Sequence, residues 1–125
     1  MAVKYHTHYQ DIGAFVTKDG SIIRELMHPN RHAARSQSLA EARVPTRSRT
    51  LLHTHQYTEE IYHVVRGAGR MTLGNIQCEL TPGDTVCIAP GTPHCVENTG
   101  NEPLVILCMC TPAYTDEDTA LVLST

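Results

Sequence analysis

Short apolar runs recur through the second half of the chain, at residues 50–55, 61–65, 70–73, 85–88 and 104–110, each rich in β-branched or large aliphatic side chains. Between them fall Gly67, Gly69, Gly74, Pro82-Gly83, Pro90-Gly91, Pro93, Gly100, Pro103 and Pro112. Helices of ordinary length do not fit between breakers so closely spaced, whereas strands of about 5 to 7 residues do. In the first half, residues 13–17 and 21–27 predict two strands around a Lys18-Asp19-Gly20 turn, and residues 37–44 another that stops at Pro45. A polar loop covers residues 28–36, and residues 114–118 read as a turn capped by Thr115. About ten short strands at this spacing predict an all-β sandwich or barrel, built as one domain over residues 1–125.

Composition narrows the classes of function. With 125 residues, 41% hydrophobic and 18% charged, the chain is expected to be globular and to bury a single core, with no second domain. A formal charge of −3 supplies no electrostatic footprint for nucleic acid or anionic lipid. No apolar run approaches the ~18 to 20 residues of a membrane span, and the opening residues lack the apolar core of a signal peptide, so a cytoplasmic location is expected. Five cysteines without a Cys-x-x-Cys pair read as reduced thiols rather than as a zinc ribbon. The unusual feature is eight histidines beside no Trp and one Phe.

His53 and His55 stand two apart on a predicted strand, so both imidazoles project from one face and can converge on one ion. On its own, His-x-His on a strand is more often a pair of surface or satisfied core histidines. Glu60 follows across the polar turn Gln56-Tyr57-Thr58-Glu59, and a tight return would bring its carboxylate back beside the pair. A later strand opening at Gly83-Asp84 closes at Ala89-Pro90-Gly91-Thr92-Pro93-His94, followed by Asn98, so a third imidazole can arrive from a different strand.

The full spacing, His53-x-His55, Glu60 and Gly67, then Gly83, Ala89, Gly91, His94 and Asn98, resembles the two signature motifs of the cupin superfamily, over residues 49–67 and 83–98. The departure is Ala89, where Pro is more usual; the adjacent Pro90 supplies a stiff turn. This resemblance implies a cupin-type double-stranded β-helix, a jelly-roll barrel. It implies His53, His55, Glu60 and His94 as ligands of one divalent transition metal, which Mn, Fe, Co, Ni, Cu or Zn would each suit. Gly67, Gly83 and Gly91 are read as turn residues, and Asn98 as a tie to a neighbouring loop.

Parity along the strand populates the pocket further. If Glu60 faces inward, Tyr62 and Val64 do too, which makes the Tyr62 phenol a candidate catalytic hydrogen-bond donor or, equally, a core aromatic. His63 then points away. Leu104, Ile106, Cys108 and Cys110 share one face of the last long strand; the resemblance places that face inside, where free Cys most often behaves as a small hydrophobe. His6-Thr7-His8 reads as an exposed strand face, and His28 and His32 as surface residues. In residues 37–44 the half-polar alternation suggests that Gln37 and Arg43 reach the cavity, lie on a solvated edge, or sit at a homodimer surface. The leading expectation is a metal-dependent enzyme for a small organic acid or polyol. The alternative is a non-catalytic module that binds a small molecule. A complete ligand set argues against a metal-independent sugar epimerase.

Overall fold

The computed structural model describes residues 4–123. After a short 3-10 turn at Tyr9–Asp11, the strands are β1 (Phe15–Val16), β2 (Ile22–Met27), β3 (Ser38–Val44), β4 (His53–His55) and β5 (Glu59–Arg66). They continue as β6 (Gly69–Leu73), β7 (Ile76–Leu80), β8 (Thr85–Ile88), β9 (His94–Asn98), β10 (Leu104–Thr111) and β11 (Thr119–Leu121). Six form one antiparallel sheet in the order β1-β2-β3-β10-β5-β8, and five form the other in the order β11-β4-β9-β6-β7. This is the double-stranded β-helix expected from the sequence. Among the described strands none pairs from one sheet to the other, so the barrel is not closed by hydrogen bonds. The edge strands β1 and β11, two and three residues long, are too short to carry a ladder around the side.

Alternation decides which residues meet between the sheets. On β3, Ser38, Ala40, Ala42 and Val44 are buried, and on β10 Leu104, Ile106, Cys108 and Cys110 are buried opposite them. β5 contributes Glu60, Tyr62 and Val64 in register with Cys110, Cys108 and Ile106. Along these three strands the inward positions change from Val44, Leu104 and Ile106 to Ser38, Cys110 and Glu60. The first end joins Met71 and Leu80 in a packed apolar core. At the second end small and polar side chains leave a cavity.

Two features hold the motif-bearing strands in place. Gly67 has φ +89, and a Cβ there would lie 2.6 Å from the Pro103 carbonyl oxygen, so only glycine fits where β5 turns beneath the loop before β10. Asn98 donates to the Val44 and Glu102 carbonyls at 2.9 and 2.8 Å and accepts from the Gly100 N–H at 2.9 Å, tying down the β9–β10 loop.

Several expectations need correction. The strand anticipated at residues 50–55 contracts to His53–His55, because Thr50 and Leu51 bond instead to Val96 and Asp19. β3 is an interior strand with Glu41 and Arg43 on the outer face, so Arg43 neither lines the cavity nor lies on an edge, and Gln37 lies exposed outside it. His6 and His8 are exposed but lie outside any strand. His28 is buried rather than superficial: its ring bonds to the Tyr114 carbonyl at 2.7 Å, so the segment after β10 covers it. His32 is half-buried and accepts the His28 N–H at 3.0 Å.

Candidate metal centre

β4 places His53 and His55 on the inner face, and β9 brings His94 directly opposite His53 through the pairing His53↔His94. Their ring centroids lie 4.2 to 5.2 Å apart, and one ring nitrogen from each falls within 4.8 Å of the others. Glu60, from the start of β5, sets Oε1 3.1 Å from His55 Nε2 and 3.5 Å from His94 Nε2. All four side chains are buried. His63 lies on the opposite face of β5, where its Nδ1 meets Thr85 Oγ1 at 2.8 Å.

The hydrogen-bond partners fix the tautomer of each imidazole. His53 Nδ1 lies 2.7 Å from the Leu51 carbonyl and His94 Nδ1 2.9 Å from the Thr92 carbonyl, and a carbonyl can only accept. His55 Nδ1 lies 3.0 Å from Thr119 Oγ1, whose own hydrogen goes to the Thr115 carbonyl at 2.9 Å, so this ring also donates from Nδ1. In their neutral forms all three rings therefore carry the hydrogen on Nδ1 and turn an Nε2 lone pair inward.

The lone pairs of His55 and His94 face a carboxylate oxygen that also only accepts. Glu60 Oε1 and His94 Nε2 are fully buried and have no hydrogen-bond partner among the described residues. Acceptors packed together without a donor are costly in a buried site, whereas a cation between them satisfies every one. Imidazole and carboxylate donors suit a divalent transition ion, so the residues fit the metal that the sequence resemblance implies.

The surroundings favour the metal-binding protonation states. Burial, followed by the neighbouring His94, lowers the His53 pKa and keeps its ring neutral. Burial alone would raise the Glu60 pKa; His55 and His94 hold the carboxyl at about 2 when their Nε2 atoms carry a proton, and a bound cation would take over that role when they do not. Cys110 Sγ donates to the other carboxylate oxygen, Oε2, at 3.3 Å.

The cavity beside this cluster offers about 40 Å³ to the centre of a water molecule, room for roughly three or four waters or one very small ligand. Tyr62, Cys108 and Cys110 line it, with Ile23, Ala40 and Ala42 supplying apolar wall. Burial and then Glu60 push the Tyr62 hydroxyl and the Cys108 thiol well above their ordinary pKa values, so both remain protonated.

Three residues near this cavity carry no motif signal in the sequence. Thr119, on β11, orients His55. Asp19, in the β1–β2 turn, sets Oδ2 3.4 Å from His53 Nε2. Glu25, on β2, buries Oε2 with no hydrogen-bond partner among the described residues and lies 3.7 Å from His28 Nε2. Alternation with Ile23 was the one available sign that Glu25 faces inward.

A two-sheet jelly roll carrying three imidazoles and a carboxylate on its inner face defines a class of β-helix proteins with a mixed nitrogen and oxygen donor cluster. The chain belongs to the cupin family: the sequence profile of the Cupin domain matches residues 40–110, which include all four cluster residues. It is 54% identical over 116 residues to an uncharacterised protein of Methanocaldococcus jannaschii, covering 93% of each chain. It is 29% identical over 86 residues to an oxalate-binding protein of Thermotoga maritima, covering 69% of this chain and 67% of that one. The fold is similar to that of Lactobacillus farciminis oxalate decarboxylase in a formate complex, with a TM-score of 0.83 and 19% identity. That likeness covers 98% of this chain and 37% of the decarboxylase.

Proposed function

We propose that this chain holds one divalent transition metal through His53, His55, Glu60 and His94 and uses it to act on a small organic acid or polyol. The observation that carries this reading is the convergence of three imidazole Nε2 lone pairs and Glu60 Oε1 with no donor among them. The bound ion would supply a Lewis acid to which a small oxygen ligand can coordinate. The chain's own contribution is to hold the imidazoles in one tautomer through Leu51, Thr92 and Thr119, and to confine the ligand against Ile23, Ala40 and Ala42. Tyr62 keeps a phenolic hydrogen inside the same cavity, available to an oxygen that gains negative charge.

A second reading, non-catalytic capture of a small carboxylate, is supported by the similarity to the Thermotoga maritima protein named for oxalate binding. Both readings require the metal, and turnover separates them. The test is elemental analysis of untagged protein, followed by product analysis with a panel of carboxylates and polyols for each reconstituted metal, with and without oxygen. About one metal per chain and a product from one panel member support the enzyme. Metal with saturable carboxylate binding and no product supports the capture module. Protein that takes up no transition metal overturns both.

A further inference from the structure

Glu25, on β2, lines three spaces at once. It borders the inner cavity and also two surface clefts, which offer about 300 and 230 Å³ to the centre of a water molecule. The residue is only 7% exposed, and its Oε2 is buried with no hydrogen-bond partner among the described residues. His28 Nε2 lies 3.7 Å away, but in the neutral ring its hydrogen goes to the Tyr114 carbonyl, and Nδ1 accepts the Asn30 N–H. An acceptor buried without a donor costs stability, and such groups concentrate where a ligand supplies the missing partner.

The pairings Glu25↔Ala40, Ala40↔Cys108 and Cys108↔Tyr62 set these four residues in one row across the inner face. Ala40 and Cys108 are small, so the row is a floor with a carboxyl at one end and a phenol at the other. His53, His55 and Glu60 line the same small cavity. Two further acids, Asp19 and Glu60, face that cavity, and the thiols of Cys108 and Cys110 keep their hydrogens. In the clefts, Arg31 and Lys4 are offset by Asp11, Asp116 and Glu117. Of the other titratable groups there, His6 and His8 are exposed, burial lowers the His32 pKa, and the Tyr114 hydroxyl is pushed up to about 12. Burial outweighs His28 and Arg31 and raises the Glu25 pKa. An anion beside Glu25 is repelled by its carboxylate but can accept a hydrogen bond from its acid form.

We propose that Glu25 binds a small carboxylate ligand in the inner cavity by holding a proton drawn from the solvent of the clefts and donating it in a hydrogen bond to a carboxylate oxygen. This rests on the proposed metal site and narrows its ligand to an organic acid rather than a polyol. A polyol brings hydroxyl donors of its own and would satisfy the ionised form of Glu25 without any proton. A carboxylate brings only acceptors, so it and the Glu25 proton must enter the complex together.

The test uses the full chain loaded with Co(II), as wild type, Glu25→Gln and Glu25→Ala, with thermal melting as a folding check. The Co(II) spectrum is titrated with formate, acetate and malonate at about pH 8, and the tightest of the three is carried forward. Its complex with the wild type is expected to show the infrared carbonyl band of a protonated carboxyl that the Glu25→Gln complex lacks. Glu25→Gln, whose amide donates without a proton, is expected to bind at least as tightly as the wild type, and Glu25→Ala at least ~10-fold more weakly than Glu25→Gln. Where Glu25→Ala melts early, the infrared band and the Glu25→Gln affinity decide. Affinities within ~3-fold in all three folded proteins, or a complex in which Glu25 stays ionised, overturn the role of Glu25 and leave the metal site standing. Loaded wild type that binds none of the three anions overturns it as well. Failure of the wild type to take up Co(II) removes the metal site itself.

Discussion

Cys110 Sγ lies 3.3 Å from Glu60 Oε2, across the register pair that joins β10 to β5. Burial, reinforced by the Glu60 charge, raises the Cys110 pKa far above that of an ordinary thiol, so the sulfur keeps its hydrogen and donates it. This leaves Oε1 as the oxygen turned toward the imidazoles. Groups that orient a metal ligand from outside typically contribute ~10- to 100-fold in affinity. Cys110→Ala should therefore weaken Co(II) binding by about 10-fold, and Cys110→Ser, which retains a donor, by less. A competition titration with a chromophoric chelator checks both; equal affinities in the three proteins would remove the role given to the thiol.

His94 and His63 offer a paired comparison, because one faces the cluster and the other faces Thr85 on the outer side of β5. His94→Ala should lower metal affinity by more than ~100-fold, beyond what loss of an orienting group causes. His63→Ala should leave it unchanged. Elemental analysis of both variants, expressed and purified in parallel, reads the difference directly. Equal loss in the two would show that the inward face of β5 is not the metal face.

The four motif residues are legible because each lies on a strand whose period and neighbours are marked by local sequence. His53 and His55 share a face by their spacing, Tyr62 and Val64 follow Glu60 inward, and Gly83 and Gly91 bracket the approach to His94. What escapes the sequence is made by contacts between distant segments. Asp19 reads as an ordinary turn residue, and contacts from distant segments, Leu51 N–H to its carbonyl and Lys18 Nζ to the Thr119 carbonyl, draw that turn against the cluster. Thr119 belongs to a three-residue edge strand too short for a periodic signal, and its place beside His55 comes from the pairing of β11 with β4. His28 is buried by the segment carrying Tyr114, far away in sequence, so no local pattern around residue 28 could reveal it.

Glu25 gives a stability prediction with a definite sign. Burial raises its pKa from 4.5, outweighing the favourable charges of His28 and Arg31. Nor does His28 satisfy it: its Nε2 bonds to the Tyr114 carbonyl and its Nδ1 accepts the Asn30 N–H. Between the unfolded and the higher folded pKa the native state holds the extra proton, so this group's contribution falls as pH rises above about 4.5 and levels off past the folded pKa. Glu25→Gln carries no charge at any pH and should melt higher than the wild type at neutral pH, by about 1 kcal/mol, the lower end of the cost of a buried unpaired polar group. The advantage should vanish below pH ~4. Melting curves across that range check it; an advantage independent of pH would show that packing rather than ionisation is responsible.

The outer face of the six-stranded sheet leads to a prediction about assembly. Leu39, Met109 and Ile61 form a row across β3, β10 and β5, with Val65 exposed nearby. Arg43 Nε on the same face is buried without a hydrogen-bond partner among the described residues. A second copy of the chain would cover this row. Light scattering is expected to return the mass of two chains at micromolar concentration, and Met109→Lys to shift it toward one. A wild-type mass of one chain throughout would defeat the homodimer.

Tyr62 separates the catalytic reading from simple capture. Its ring centroid is 6.0 Å from that of His94, it lines the cavity, and burial keeps its hydroxyl protonated at any physiological pH. A phenol in that position binds the ground state of a neutral or singly charged oxygen modestly, and binds more strongly an oxygen on which charge develops. Removing the hydroxyl should then act on turnover more than on binding. For whichever panel substrate is converted, Tyr62→Phe is expected to keep full metal content, to change KM by less than ~3-fold and to lower kcat by ~10- to 100-fold, somewhat less than loss of a full oxyanion donor. A fall in kcat/KM carried entirely by KM would make Tyr62 a wall of the binding pocket. Unchanged kinetics would make it a core aromatic, and the capture module would then need no phenol at all.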